Sequence, residues 1–160
     1  MTKNILYIAF MLFPCLGYGE CISCFTHPLC TINEPISLYS EPDKYICELY
    51  ISGDGGYEVC ALTRVENYIA VLDLPCGRDT SWVHIGDVGV VAQIYDQNIP
   101  IYSQNDSLST ILGYLSESHI GILYDWDEKY VLVKIKDDNI DKTGWLNRGY
   151  ICGSPYTTCN

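Results

Sequence analysis

The stretch 38–43 reads Leu-Tyr-Ser-Glu-Pro-Asp, and 63 residues later the stretch 101–106 reads Ile-Tyr-Ser-Gln-Asn-Asp. The same spacing separates Ser-Trp-Val-His-Ile-Gly at 81–86 from Gly-Trp-Leu-Asn-Arg-Gly at 144–149. Self-similarity in a constant order at a constant spacing indicates a duplicated unit of about 60 residues. The duplication decides the architecture, because whatever fold one unit adopts the other should adopt as well.

Each unit is composed of short β-type segments. Tyr-Ile-Ala-Val at 68–71 corresponds to Tyr-Val-Leu-Val at 130–133, at a spacing of 62, so one loop differs by a residue. These runs, together with 88–95 and 111–115, are rich in β-branched and aromatic residues and are separated by turn-forming Gly, Asp, Asn and Pro. Beyond residue 19 no long window keeps a helical period with caps. The sequence therefore predicts an all-β protein.

The second unit resembles a bacterial SH3-like (SH3b) domain. Its matching segments are Ile101-Tyr102-Ser103, Ile111–Leu115, Tyr130–Val133 and Thr143-Gly144-Trp145-Leu146. The first unit departs from the pattern, since Ser81 stands at the closing Gly and a glycine-rich insertion enlarges its middle. The resemblance covers roughly residues 34–152 and implies two tandem small barrels that bind rather than catalyse. We place the barrels at 34–90 and 91–160, and expect them to move as one body because 88–95 has strand character and leaves no flexible linker.

The first 19 residues are typical of a cleaved secretory signal. Lys3 is the only charge in this stretch, the run 5–16 is apolar, and small glycines follow it. That run of 12 residues is shorter than the roughly 20 that span a bilayer in a helix, and no later stretch approaches that length. We expect export to a bacterial periplasm without membrane insertion. Lipidation at Cys15 is an alternative that the bulky Phe13 and Pro14 disfavour.

The cysteine content agrees with export. Eight cysteines remain beyond the signal, an even number that allows up to four disulfides. A glycine-rich turn at 52–56 predicts a hairpin that places Cys47 nearly opposite Cys60, and a turn-rich loop brings Cys159 back to Cys152. We predict these two bridges. The remaining four would pair among themselves and tie a cysteine-rich arm at 20–33 to the first repeat: Cys21, Cys24 and Cys30 in the arm, and Cys76 in the repeat.

Metal binding and catalysis are disfavoured. Cys21, Cys24, His27 and Cys30 have a spacing that could hold zinc, but an oxidising compartment favours disulfides. A nucleophilic Cys–His pair has no separate domain for a catalytic pocket, and His84 lies where the second repeat has Asn147, as an interchangeable surface residue would. We expect no enzyme activity, no cofactor and no bound metal.

The charge balance indicates the kind of partner. Nine Lys and Arg against 20 Asp and Glu give a formal charge of −11, which disfavours nucleic acid and anionic lipid and favours a basic protein. We expect an inhibitor or immunity-type protein that neutralises a basic toxin or wall-degrading enzyme, similar to the immunity proteins of type VI secretion effectors. Cell-wall (peptidoglycan) binding is the alternative.

The predicted contact site is a loop in the second repeat. Tyr124-Asp125-Trp126-Asp127-Glu128 combines an aromatic anchor with carboxylates that can steer a basic partner, and the corresponding segment 63–67 has no Trp. A fold-back of Trp126 over the barrel end is the structural alternative.

Overall fold

A computed structural model describes residues 22–26, 35–50, 58–72, 80–93, 98–116, 119–136 and 140–152, with only the backbone described for 22–26 and 58. The predicted signal, 1–19, lies outside these ranges. Within them every regular element is a β-strand except two short 3-10 turns, which confirms the all-β expectation. No helix in the described segments is long and apolar enough to cross a membrane.

The two repeats have the same strand order. The first unit contains β2 (Ile36–Tyr39), β3 (Tyr45–Leu49), β4 (Glu58–Val65), β5 (Tyr68–Leu72), β6 (Ser81–His84) and β7 (Val88–Ala92), and the second contains β8 (Ile99–Tyr102), β9 (Ile111–Leu115), β10 (His119–Trp126), β11 (Tyr130–Lys136), β12 (Asp141–Asn147) and β13 (Ile151–Cys152). Hydrogen-bonded neighbours run β3-β2-β6-β5-β4 in one unit and β9-β8-β12-β11-β10 in the other. The molecule thus consists of two small barrel-like units built on one plan.

Local details repeat along with the strand order. Each unit has a 3-10 turn before its last strand, at Ile85–Asp87 and at Arg148–Tyr150. The register of the long hairpin shifts once in each unit, after Ala61 and after Leu123. Because a β-bulge bends and twists a strand, the matching shifts give both hairpins the same curvature.

Strand β7 belongs to both units. A strand from the N-terminal arm, β1 (Ile22–Thr26), lies between β4 and β7, and β7 in turn lies between β10 and β13. Gly89 has Phe25 on one side and Ile122 on the other. β7 therefore has the same position in the second unit, between β10 and β13, that β1 has in the first, between β4 and β7. The predicted boundary at residue 90 falls inside this shared strand.

The core is continuous across the two units. One cluster of buried apolar side chains includes residues of both halves, among them Ile36, Leu38, Ile69, Val83, Val90, Ile99, Ile101, Leu123, Val131 and Leu146. All five residues of β7 are buried. Since burying apolar surface is the main favourable term in folding, the two units stabilise each other through the strand they share.

The predicted hairpin around 52–56 is wrong. β3 pairs with β2 and places Cys47 opposite Leu38, whereas β4 pairs with β1 and β5 and places Cys60 opposite Ser23 and Leu72. The cross-strand argument for a Cys47–Cys60 bridge therefore fails, because β1 rather than β3 lies beside β4.

Two of the predicted disulfide cysteines are bonded in the structure. Cys60 and Cys152 both form disulfides, and both are buried. Cys159, the predicted partner of Cys152, lies outside the described residues, as do Cys21, Cys30 and Cys76, and only the backbone of Cys24 is described. The connectivity stays a prediction.

Candidate protein-binding site

The predicted site lies at the tip of the β10–β11 hairpin, where Asp127 holds the turn. Its Oδ1 accepts hydrogen bonds from the backbone N–H of Lys129 at 2.7 Å and of Tyr130 at 2.8 Å. Its Oδ2 accepts one from the side-chain amide of Asn105, at 2.7 Å, on the β8–β9 loop. An aspartate that caps its own turn in this way stabilises it, so Asp127 joins two loops into one surface.

The same contacts set the protonation of Asp127. Partial burial alone would raise its pKa, but hydrogen bonds from the Lys129 and Tyr130 amides and from Asn105, with the nearby charge of Arg148, outweigh burial and hold the pKa below the ordinary value. The Arg148 guanidinium also donates to the backbone oxygens of Asp127 and Glu128, both at 3.3 Å. The carboxylate of Asp127 is therefore ionised and committed to the turn.

Trp126 is less exposed than the sequence indicated. It is the last residue of β10, opposite Val131, and together with Tyr124 it is half-buried and packs against the main core. The register shift after Leu123 redirects the end of the strand toward the barrel. Part of the indole therefore supports the core, as the fold-back alternative expected, and part remains accessible, so that partner contact through Trp126 stays a prediction.

Asp125 is paired within the molecule. Its Oδ2 lies 3.3 Å from the guanidinium of Arg64, near the tip of the corresponding hairpin of the first unit. The two side chains are 34% and 44% exposed, so the pair contributes only about 0.2–1 kcal/mol. Its main effect is on the surface, because a carboxylate expected to steer a partner is already matched by a cation of the other unit.

Beside this turn lies a surface pocket of about 370 Å³ lined by Asn105, Asp127, Glu128, Lys129 and Tyr130. Glu128 and Lys129 are exposed at its rim. The hydrogen bonds of Asp127 fix the backbone of Lys129 and Tyr130, which line the pocket, so its shape is set before a partner binds. The arrangement can accept a side chain of another protein, with Glu128 as the carboxylate left to meet a cation.

The sequence reasoning missed a second aromatic surface, in the first unit. Tyr39 contacts Tyr45, Tyr68 and His84 edge-on, with ring centroids 6.2, 5.1 and 5.4 Å apart. The rings of Tyr68 and His84 are tilted by 32° with their centroids 4.4 Å apart, and the Tyr39 hydroxyl is 3.2 Å from His84 Nε2. We call Tyr39, Tyr45, Tyr68 and His84 the aromatic cluster.

A carboxylate borders this cluster. Asp43 lies in the β2–β3 turn with a φ of 64°, in the left-handed region that Asp tolerates better than most residues. Its Oδ1 accepts a hydrogen bond from the Tyr68 hydroxyl at 2.7 Å. This hydrogen bond is the largest cause, and desolvation the next, of a pKa of Tyr68 raised to about 12. Tyr68 is therefore held as a neutral hydrogen-bond donor to the side chain of Asp43.

A signal for this cluster was present in the repeat itself. Tyr39 and Tyr68 have counterparts in Tyr102 and Tyr130, but by strand register Tyr45 corresponds to Ile111 and His84 to Asn147. Asn147 accepts a hydrogen bond from Gly149 and caps its 3-10 turn, whereas His84 makes no such cap. His84 and Asn147 therefore have different local roles, and the prediction that His84 is an interchangeable surface residue is wrong.

Comparisons with known proteins identify no family for this chain. No protein-family model and no curated protein match it. Among solved structures it is similar to NlpC2 from Trichomonas vaginalis, with 14% identity and a TM-score of 0.33, over 84% of this chain and 49% of that one. It is also similar to NlpC1 from the same organism, with 15% identity and a TM-score of 0.35, over 84% of this chain and 46% of that one. The chain thus spans about half the length of each.

Proposed function

We propose that this protein is an exported, non-catalytic binding protein of two SH3-like barrels that captures a basic protein, as an immunity-type inhibitor of a toxin or wall-degrading enzyme in a bacterial periplasm would. The observation that carries the proposal is the tip of the second unit, where hydrogen bonds of Asp127 and Arg148 hold the turn that lines the pocket, and where the half-buried Trp126 directly precedes this turn in the chain. A surface that needs no ordering on association loses less entropy when it binds.

Net charge supports the nature of the partner. A formal charge of −11 attracts basic proteins over long range and speeds their encounter. Because Asp125 and Asp127 are occupied within the molecule, this attraction comes from the whole surface and from Glu128 rather than from a ring of free carboxylates around Trp126. Peptidoglycan, the alternative ligand, is an anionic polymer that the same charge would repel.

Capture from a periplasmic extract by the immobilised protein tests the proposal, with bound proteins identified by mass spectrometry. We expect a basic protein whose affinity falls by about 2–4 kcal/mol in Trp126→Ala, since a central interface Trp contributes that much. Glu128→Gln should mainly slow association and flatten its salt dependence. Glu66→Gln, at an exposed carboxylate in the corresponding turn of the first unit, is the matched control.

Two results would count against the proposal. One is capture that is the same for Trp126→Ala, measured well below its melting temperature, and for the unaltered protein. The other is sedimentation of the purified protein with isolated sacculi free of other proteins, which would favour the cell wall as the ligand.

A further inference from the structure

The aromatic cluster of the first unit combines exposed ring surface with negative charge. Tyr45 is 57% exposed and stands on β3, at the end of the strand order, so its ring is accessible to another molecule. The half-buried Tyr39 contacts this ring edge-on, and the half-buried His84 in turn contacts Tyr39. The π faces of such rings carry partial negative charge and attract cations.

Two carboxylates near the cluster, those of Asp43 and Glu48, form no ion pair with any residue in the described ranges. Lys44, the adjacent base, is held 2.6 Å from Glu41. Asp43 accepts a hydrogen bond from the Tyr68 hydroxyl, and Glu48 accepts one from the Tyr50 hydroxyl at 2.9 Å. Within the described part of the chain neither carboxylate forms an ion pair. This surface therefore has the aromatic rings and uncompensated carboxylates that the sequence analysis had expected around Trp126.

The corresponding surface of the second unit lacks the counterparts of Tyr45 and His84. Ile111 takes the place of Tyr45 and Asn147 that of His84, and among the described residues of this unit the one ring contact is between Tyr102 and Tyr130, at 6.1 Å. Asp106 there accepts a hydrogen bond from the Leu108 amide in its own loop. Since the retained pair of tyrosines suffices for the fold, the added Tyr45 and His84 require another explanation.

We propose that the aromatic cluster, with Asp43 beside it, binds a cationic arginine or lysine side chain presented by a basic protein. The cation would lie against the exposed Tyr45 ring, with the carboxylates of Asp43 and Glu48 within electrostatic range. Coulomb attraction and the cation–π contact act together on the same charge. The inference rests on the proposed function for the nature of the partner but uses a different surface from the Trp126 tip.

A small probe tests the site without the partner. Nα-acetyl-arginine methylamide is titrated into the full protein while the ring protons of the tyrosines are followed by NMR. We expect saturable shifts confined to Tyr39, Tyr45 and Tyr68, and none with the neutral isostere Nα-acetyl-citrulline methylamide. Tyr45→Ile, which introduces the residue of the second unit, should weaken binding about two- to fivefold, as expected for a cation–π contact at an exposed site. Tyr45→Phe should preserve it.

Tyr114→Ile is the matched control, because Tyr114 is 56% exposed on the equivalent strand β9 and lies far along the sheet order from the cluster. Equal binding of the citrulline probe, unchanged affinity in Tyr45→Ile, or saturable binding of N-acetylglucosamine in place of the arginine probe would overturn the inference. Capture of a basic protein that depends on Trp126 while the arginine probe does not bind removes this site and leaves the proposed function. Binding of the probe at the cluster with no basic protein captured supports this site and counts against the proposed function.

Discussion

Replacement of Val90 by alanine should destabilise both units together. Val90 lies at the centre of the shared strand β7, opposite Gly121, and is 1% exposed. The substitution removes two buried methyl groups at about 0.8 kcal/mol each, and the cavity that remains raises the total loss of unfolding free energy to about 2–3 kcal/mol. Because β7 pairs with β10 and β13 of the second unit and is joined through β1 to β4 of the first, we expect this loss to lower the stability of both units equally.

Each unit offers its own fluorescent probe for this measurement. Trp82 and Trp145 occupy equivalent positions, opposite Tyr39 and Tyr102. With the other tryptophans replaced by phenylalanine, one protein reports on the first unit through Trp82 and another on the second through Trp145. Urea unfolding of both proteins, with and without Val90→Ala, gives four midpoints.

We expect the two probes to share one midpoint and Val90→Ala to shift both by the same amount. Val65→Ala, at a 44% exposed valine of the first unit, is the control and should change the unfolding free energy by less than about 0.5 kcal/mol. Separate midpoints for Trp82 and Trp145, or a shift of only one of them, would refute the view that β7 couples the units.

Further substitutions test individual contacts. Gly144→Ala should destabilise by about 1–3 kcal/mol in thermal or urea unfolding, because its Cβ would clash with the Ile101 side chain and lie 2.9 Å from the backbone oxygen of Tyr102; an unchanged stability would contradict this packing. Asp43→Asn should return the pKa of Tyr68 from about 12 toward 10.0, which a phenolate absorbance titration would show as one tyrosine ionising at lower pH than in the unaltered protein. The stability that the hydrogen bond provides is present below pH 10 and is lost as the pH rises through 12, and it should be missing in the variant. Because the pKa of Asp127 is lowered, the stability it contributes is present above the ordinary carboxyl pKa of 3.8 and is lost as the pH falls below it, and the difference in unfolding free energy between the protein and Asp127→Asn should shrink from pH 6 to pH 3.

Local pattern in the sequence was enough for the architecture of each unit. The repeats at 38–43 and 101–106, with the β-type runs between them, predicted an all-β duplicated chain, and the strand orders β3-β2-β6-β5-β4 and β9-β8-β12-β11-β10 agree with it. Strand formation and side-chain alternation depend on neighbours along the chain, and two copies of one pattern must fold alike. The strand character of 88–95 was visible for the same reason.

Only the tertiary structure decided which strands and charges meet. Nothing local in the arm residues 22–26 indicates that they insert beside β4, yet this insertion separates Cys60 from the strand that carries Cys47. In the same way Arg64 neutralises Asp125, and Asp43 comes to Tyr68, across long stretches of chain. Such contacts depend on how the sheet curls and on which strand edge is left open, and neither is set by the spacing of residues along the sequence. That is why the sequence predicted an acidic aromatic surface at Trp126 alone, whereas the folded chain also exposes an aromatic ring close to carboxylates at Tyr45.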